Sequence, residues 1–546
     1  MQFNVRPYVC GALGRIDTAL LGKLTAAGPK VWPALQSADA ALFSSTPLPP
    51  YHRSGDAYAF AWGERRPKAA EDEWITVAET YETPGLIGDG GRVALHTGAL
   101  GLVDVYYVRV DDAVYFSSLI QPLLTLVPVA IDWSAWASIL QVTFPLGEAT
   151  PYTEVKRLPG GERAGVGARQ AHHRAPVAAL AAHGAVRGVD QPSGDRRAAR
   201  PRLRRLRRPP AARAGQRRLR LPAAGRRGQG QGRGRRVVDD QPRRRHRHRH
   251  RVRQGDHQGA GHPAPGGPAG RRLLPGRRHG GGAQAGVPDA APRLVRPPFA
   301  KEVHGAGRIL VDGLAGGPLL KNFMVSGAAL EARTQAERSA AVLGSLSLGQ
   351  PSQPFLSKAA AQWMEETVRE QFLAATSMFH GHRAELPLSV LHTRTVRGIA
   401  RSAVNLVGPE ASFLAPFIHP EFFDAALSVG VARKHQGRFY REVLHAANPR
   451  VAALPSTNVV KQPLMRVPLR STAAPARNYA HRMLEVVVSR VPGLLSDELH
   501  EVVAGGPDAL TRFNGWNDRF WVRGLVLFGL WLNDFENDLS DVAPPF

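Results

Sequence analysis

In GRILVDGLAGGPLLKNF (residues 307–323) an apolar run, Ile309-Leu310-Val311, meets a glycine-rich turn, Asp312-Gly313-Leu314-Ala315-Gly316-Gly317, and then a helical pattern. Strand, glycine turn, helix is the arrangement that points backbone N–H groups at an anion. It also predicts an α/β chain. Alone the pattern is weak, because a βα turn without a ligand looks the same. The backbone N–H groups of this turn are the anion donors it offers.

Downstream, SKAAAQWMEETVREQFLAATSMF (357–379) has apolar residues at helical spacing, with Glu365, Glu366, Arg369 and Glu370 on the outer side. TRTVRGIARSAVNLVG (393–408) predicts a second helix ended by Gly408. Arg394, Arg397 and Arg401 share one face of it, and such a stripe is expected to be solvated. GWNDRFWVRGLVLFGLWLNDF (515–535) alternates Trp, Phe and Leu with polar residues and predicts a core-packed terminal helix.

Between these lies SFLAPFIHPEFFDAALSV (412–429), followed by Lys434, Tyr440-Arg441-Glu442-Val443-Leu444, Pro449 and Leu454-Pro455. In order and spacing this resembles a signature of the asparagine synthase family. The 307–323 turn resembles that family's second nucleotide motif, but Gly317 and Pro318 stand where the family carries Asp and Glu, and His419 replaces an Asp. A hard cation needs oxygen ligands, so these departures put metal binding in doubt. The resemblance implies ATP and Mg2+ as cofactors, ATP binding at Asp312, Gly313 and Gly316, and a lysine soon after Pro455. Lys461 is the catalytic candidate, its ammonium placed to stabilise charge on a tetrahedral intermediate and leaving phosphate. It also brings the 393–408 helix near the site, which makes substrate contact the alternative to a solvated arginine stripe.

The N-terminal block, 1–165, is rich in strand formers. RVALHTGALGLVDVYYVRVDDAVYFSS (92–118) is β-branched and aromatic, with Asp111-Asp112 where a hairpin turn belongs. AIDWSAWASILQVTF (130–144) predicts a helix capped by Asp132. YTEVKRLPGGER (152–163) predicts a strand and a Pro-Gly-Gly turn. Ile131-Asp132, Thr153 and Leu158-Pro159-Gly160 resemble, in order, the end of the same family's N-terminal domain. Amidotransferase members need Cys directly after the initiator Met, and this chain has Gln2. Cys10, the single cysteine, sits in an apolar context and is expected to be a buried small hydrophobe. Glutamine hydrolysis is therefore not expected.

The net charge of +26 is confined to the middle. Residues 171–300 hold 32 Arg, 6 Asp and no Lys or Glu, while the rest balances 39 basic against 39 acidic residues. The same stretch lacks Ile, Met, Tyr, Trp, Asn and Thr, so it cannot build a core. Three readings are open. It is a disordered basic linker; or a nucleic-acid patch through GRGRR (232–236) and RRRHRHRHRVR (243–253), against which stands the lack of interleaved aromatics and Lys; or an out-of-frame translation of a GC-rich gene. Reading Val237-Val238-Asp239-Asp240-Gln241 one base later allows Trp/Leu, Trp/Leu, Thr/Met, Thr/Ile, Ser/Asn, an ordinary globular string. The shifted-frame reading also accounts for the missing Ser-Gly-Gly-x-Asp-Ser loop that the family uses to wrap pyrophosphate.

Together the expectation is an α/β chain. By resemblance, 1–165 is an Ntn-type αββα sandwich, glutaminase-like but without its nucleophile. Residues 166–296 are an Arg/Gly/Pro-rich interruption, disordered and out of frame. Residues 297–546 are the C-terminal part of an adenine-nucleotide α-hydrolase-like (ATP pyrophosphatase) synthetase domain with a parallel sheet. The implied reaction activates a small-molecule or peptide carboxylate as acyl-adenylate for attack by an amine, as in β-lactam synthetases and lasso-peptide cyclases. A leader-peptide-binding protein is an implied partner. A catalytically dead scaffold and a nucleic-acid binder are the rivals. With no long apolar run, no signal peptide and one thiol, the expected location is cytoplasmic.

Overall fold

The hairpin at Asp111-Asp112 forms where the sequence places it. Strands β9 (Tyr106–Val110) and β10 (Ala113–Ser117) pair antiparallel with Ala113 opposite Val110. Asp111 takes φ 50°, a left-handed conformation that Asp tolerates better than most residues. The fold around it comes from a computed structural model that describes residues 2–3, 5–63, 84–89, 92–166, 296–347, 352–454, 474–513, 516–535, 538–539 and 542–546.

The remaining strands of the N-terminal block are β1 (Gln2–Phe3), β2 (Val9–Gly14), β3 (Trp32–Gln36), β4 (Ala40–Ser44), β5 (His52–Ser54), β6 (Ala57–Ala61), β7 (Gly85–Asp89), β8 (Val93–His96), β11 (Lys156–Arg157) and β12 (Arg163–Val166). They build two antiparallel sheets, one of order β11-β9-β10-β2-β4-β3 and one of order β12-β8-β7-β6-β5. Period-2 alternation assigns the faces. Val9, Leu13, Val114 and Phe116 point to the second sheet and meet Phe60, Trp62, Leu86 and Leu95. The Trp62 and Phe116 rings stack there, 6.4 Å apart. The alternate residues Cys10, Ala12, Tyr106, Val108 and Tyr115 face a layer of helices instead. Cys10 is fully buried, as expected, and burial raises its thiol to about 11, which keeps it protonated and inert.

That helical layer is built by both halves of the chain. Helix α1 (Thr18–Ala27) is capped by Asp17. Helix α2 (Trp133–Val142) is capped by Asp132, which accepts from Ala135 N at 3.0 Å. Ile131 bridges Tyr152, and Thr153 Oγ1 donates to Ile131 O at 3.0 Å, so two of the resembling segments of the N-terminal block meet. Later in the chain come α3 (Gly316–Lys321), α4 (Lys358–Thr376), α5 (Pro420–Ser428), α6 (Val431–Lys434), α7 (Arg438–Ala447), α8 (Ala474–Arg490) and α9 (Trp516–Asp534). Helix α4 opens at Ser357 and leaves Glu365, Glu366, Arg369 and Glu370 exposed, as its periodicity requires. Helix α9 is core-packed. Its Phe528 and Trp531 rings lie 4.6 Å and 5.3 Å from that of Trp136 on α2. The described residues up to 166 and from 296 onward accordingly form one compact unit, with a hydrophobic cluster running from Tyr8 to Leu532.

The third sheet is small. Strands β13 (Leu310–Val311) and β14 (Phe413–Leu414) pair in parallel, and β1 joins the other edge of β14 antiparallel. Among the described strands this is the one parallel pair, so the sheets are antiparallel in the main. No described helix is long and apolar enough to cross a membrane.

Candidate functional site

At the carboxyl ends of a parallel strand pair the following loops lie side by side, which is where ligands of open α/β sheets bind. Here those loops are Asp312–Ala315 after β13 and Ala415–His419 after β14. Asp312 N donates to Leu414 O at 2.9 Å, which ties the first loop to β14. Leu314, Ala315 and Leu319 are buried among Phe413, Ala415, Ile418 and Phe423, and this anchors the turn from beneath. Ala315 takes φ 67° at the start of α3, and Gly316 N closes the turn on Gly313 O at 3.1 Å. The Phe417 ring lies on Gly316: an added Cβ would stand 2.8 Å from Phe417 Cδ2. Glycine is required there by close approach, and the aromatic ring covers that side of the turn. Gly313 is exposed, with Phe417 4.0 Å from its Cβ position.

The structure thus brings Asp312, Gly313 and Gly316 together. Lys461 and Pro455 lie outside the described residues. The donor set does not suit a divalent cation. Asp312 is the one acid of the two loops, while Gly317, Pro318 and His419 supply no carboxylate oxygen. Among the described residues no group of three or more His, Cys, Asp or Glu gathers that could hold a metal. His419 instead starts α5 through its backbone, with Phe423 N donating to its carbonyl at 2.8 Å.

The other end of α3 carries positive charge. Lys321 Nζ stands 4.0 Å over the Tyr440 ring, and Asn322, at φ 48°, donates from Nδ2 to Val431 O. Arg394 lies 5.0 Å over the Phe323 ring. Lys434 closes α6 fully buried; burial, then the neighbouring Arg383, lowers its ammonium to about 8. Sequence reasoning used Lys434 only as a motif position. Its burial is a tertiary feature that no local pattern announces.

The expected solvated arginine stripe is corrected. Arg397 and Arg401 are 2% and 3% exposed. Their segment is wound as π-helix, Leu391–Ile399 and Arg401–Leu406, and is pressed against the N-terminal block. Arg397 Nε donates to Pro145 O at 3.0 Å, and its Nη2 reaches Ala149 O. Arg401 lies 3.9 Å from Asp104, a carboxylate 4% exposed that Arg157 also binds. Asn405 Nδ2 and Tyr106 OH donate to the same carboxylate at 2.8 Å and 2.9 Å. Burial alone would raise Asp104, but Arg157, Arg401 and Arg397 outweigh it and hold the carboxyl at about 2. This network joins the two halves of the chain. The signal that could have found it is an acid alone in an apolar run, Leu102-Val103-Asp104-Val105-Tyr106.

A groove of about 660 Å3 opens between α8 and α9, lined among others by Tyr479, Arg482, Glu485, Arg490 and Asn533. None of the sequence candidates lines it. No protein-family model matches the chain, and no curated protein matches it.

Proposed function

We propose that the chain derives from an ATP-dependent amide-bond-forming ligase of the asparagine synthase type, with an Ntn-like sandwich fused to a synthetase domain. The observation that carries this is the parallel pair β13–β14, with the Asp312–Gly316 turn beside the Ala415–His419 loop at its carboxyl ends. Those are two of the segments whose sequences resemble that family. In this reading the turn's exposed backbone at Gly313 faces the nucleotide phosphates. The substrate is a small-molecule or peptide carboxylate, and attack by an amine on the acyl-adenylate gives the amide. Lys461 is the proposed stabiliser of the charge that develops. Cys10 takes no part, since its thiol is buried and protonated.

A second reading, a scaffold without catalysis, is favoured by the missing donors at Gly317, Pro318 and His419. Pyrophosphate exchange into ATP separates the two. The chain as written lacks a pyrophosphate loop and is expected to give no exchange. A gene with the frame restored across codons 166–296 is expected to encode that loop and to exchange in the presence of Mg2+ and the right carboxylate. A restored frame with the loop but no exchange over a panel of amino acids and peptides would favour the scaffold. A restored frame without the loop removes the ligase reading.

A further inference from the structure

Strand β13 is open on one edge and bare on one face. Its one partner among the described strands is β14. Leu310 N donates to Ser412 O at 3.1 Å and Asp312 N to Leu414 O at 2.9 Å, so both residues turn their backbone toward β14. Val311 lies between them and therefore turns its N–H and C=O to the free side. The side chains alternate too. Leu310 packs with Val407 and Ala411. Ile309 and Val311 stand on the opposite face, 49% and 65% exposed. Parallel strands are ordinarily covered on both faces, and an apolar edge left open is a place where another strand adds. On the far side of β14 that place is already taken by β1.

The order of elements says what fits the gap. Parallel strands are joined through a crossover, usually a helix. Between β13 and β14 the crossover is made by the helices that begin with α3. A further helix, Arg296–Gly305, comes immediately before β13, with Lys301 3.7 Å from Glu410. The described strand that precedes it is β12, which belongs to the antiparallel sandwich, and residues 167–295 lie between them. Among the described residues, then, a helix and the strand after it are present without the strand that should lead into them. The intervening length far exceeds the ~30 residues that one strand–helix–strand unit takes. As written, those residues cannot build a core. Read one base later, the His-Arg repeat at 246–251 gives Thr or Ile alternating with Asp, Gly, Ala or Val, the period-2 pattern of a strand. We propose that the free edge of β13, with the bare face of Ile309 and Val311, is the docking surface for a parallel strand and a covering helix encoded by codons 166–296 in the restored frame. This rests on the shifted-frame reading and not on the ligase chemistry. A strand added in parallel ends beside the Asp312–Gly316 turn, so the loop after it becomes a further wall of the candidate site.

The test compares two full chains, one as written and one with the frame restored. Val311→Cys is made in both. Cys10 is fully buried, so a charged thiol reagent under native conditions reports on position 311. Labelling is expected to be fast in the chain as written and at least about a hundredfold slower in the restored chain. Ile309→Cys, on the same face, takes its place if the first variant does not fold. Hydrogen exchange of the peptide containing Ile309–Gly313 needs no substitution and separates a paired strand from a loop lying over the face. The Val311 amide should exchange freely in the chain as written and be protected in the restored one. Equal labelling in the two chains, a covered thiol beside an unprotected amide, or a restored frame that is broken by stop codons or does not fold overturns the proposal. Protection without pyrophosphate exchange would keep this inference and count against the ligase; exchange without protection would overturn this inference alone.

Discussion

At the scale of single residues, Asp104 is the group whose loss has the clearest consequence. It is the one carboxylate shared by buried Arg157 and Arg401, with Asn405 and Tyr106 bonded to it as well. Asp104→Asn leaves two guanidiniums buried without their counter-charge, which costs about 3–5 kcal/mol. Denaturant midpoints of the two proteins measure it. The pH dependence has a fixed sign. Asp104 falls from 3.8 to about 2 on folding, so its contribution is complete above about pH 4 and disappears as pH drops through about 2. The gap between wild type and Asp104→Asn should stay constant from pH 7 to 5 and narrow below 4; a gap unchanged at pH 2 contradicts the assignment. A second residue-level test is Gly316→Ala. Its methyl would stand 2.8 Å from the Phe417 ring, so destabilisation of about 1–3 kcal/mol is expected, and Phe417→Leu in the same chain should recover part of it. The need for glycine at 316 was legible in the sequence as a turn residue. The ring that enforces it sits a hundred residues on and was not.

At the scale of elements, what depends on local pattern was readable. The Asp111-Asp112 hairpin, the Asp132 cap, the Ser357-led helix and the terminal helix all form within a few residues of their sequence signals. The 393–408 helix was readable as a helix, but not its π winding, nor the burial of Arg397, which is held by the carbonyls of Pro145 and Ala149 some 250 positions away. A stripe of arginines reads as solvated until a second surface is known to lie on it. The helix α2 shows the same division. Its spacing and its Asp132 cap announce a helix, but not that Phe528 and Trp531 of α9 receive Trp136. Trp136→Ala empties the junction of α2 and α9, and a loss of about 3–5 kcal/mol is expected. If the variant unfolds at the wild-type midpoint, the aromatic cluster does not hold the two helices together.

At the scale of the whole molecule, the question is whether the two halves are one folding unit. The sequence suggested separate blocks, because the arginine-rich tract stands between them and carries the entire excess of positive charge. The packing argues for one unit: α2 lies between α4 and α9, the Asp104 network reaches across to Arg401, and β1 pairs with β14. A hydrophobic cluster divided between two chains cannot be buried by either alone. Brief trypsin treatment supplies the test. The tract has 32 arginines in residues 171–300 and no composition that could bury them, so cleavage is expected there first. The products, close to 1–165 and 297–546, should then elute together in native size-exclusion chromatography and separate only in denaturant. Tryptophan fluorescence and far-UV circular dichroism of the nicked complex should lose signal at a common denaturant concentration, because Trp136 and Trp531 belong to the same core. Fragments that part under native conditions, or two separate transitions in the uncut chain, would mean that each half keeps a core of its own. The antiparallel sandwich would then be the independent unit, and the small β1-β14-β13 sheet a contact made after it folds.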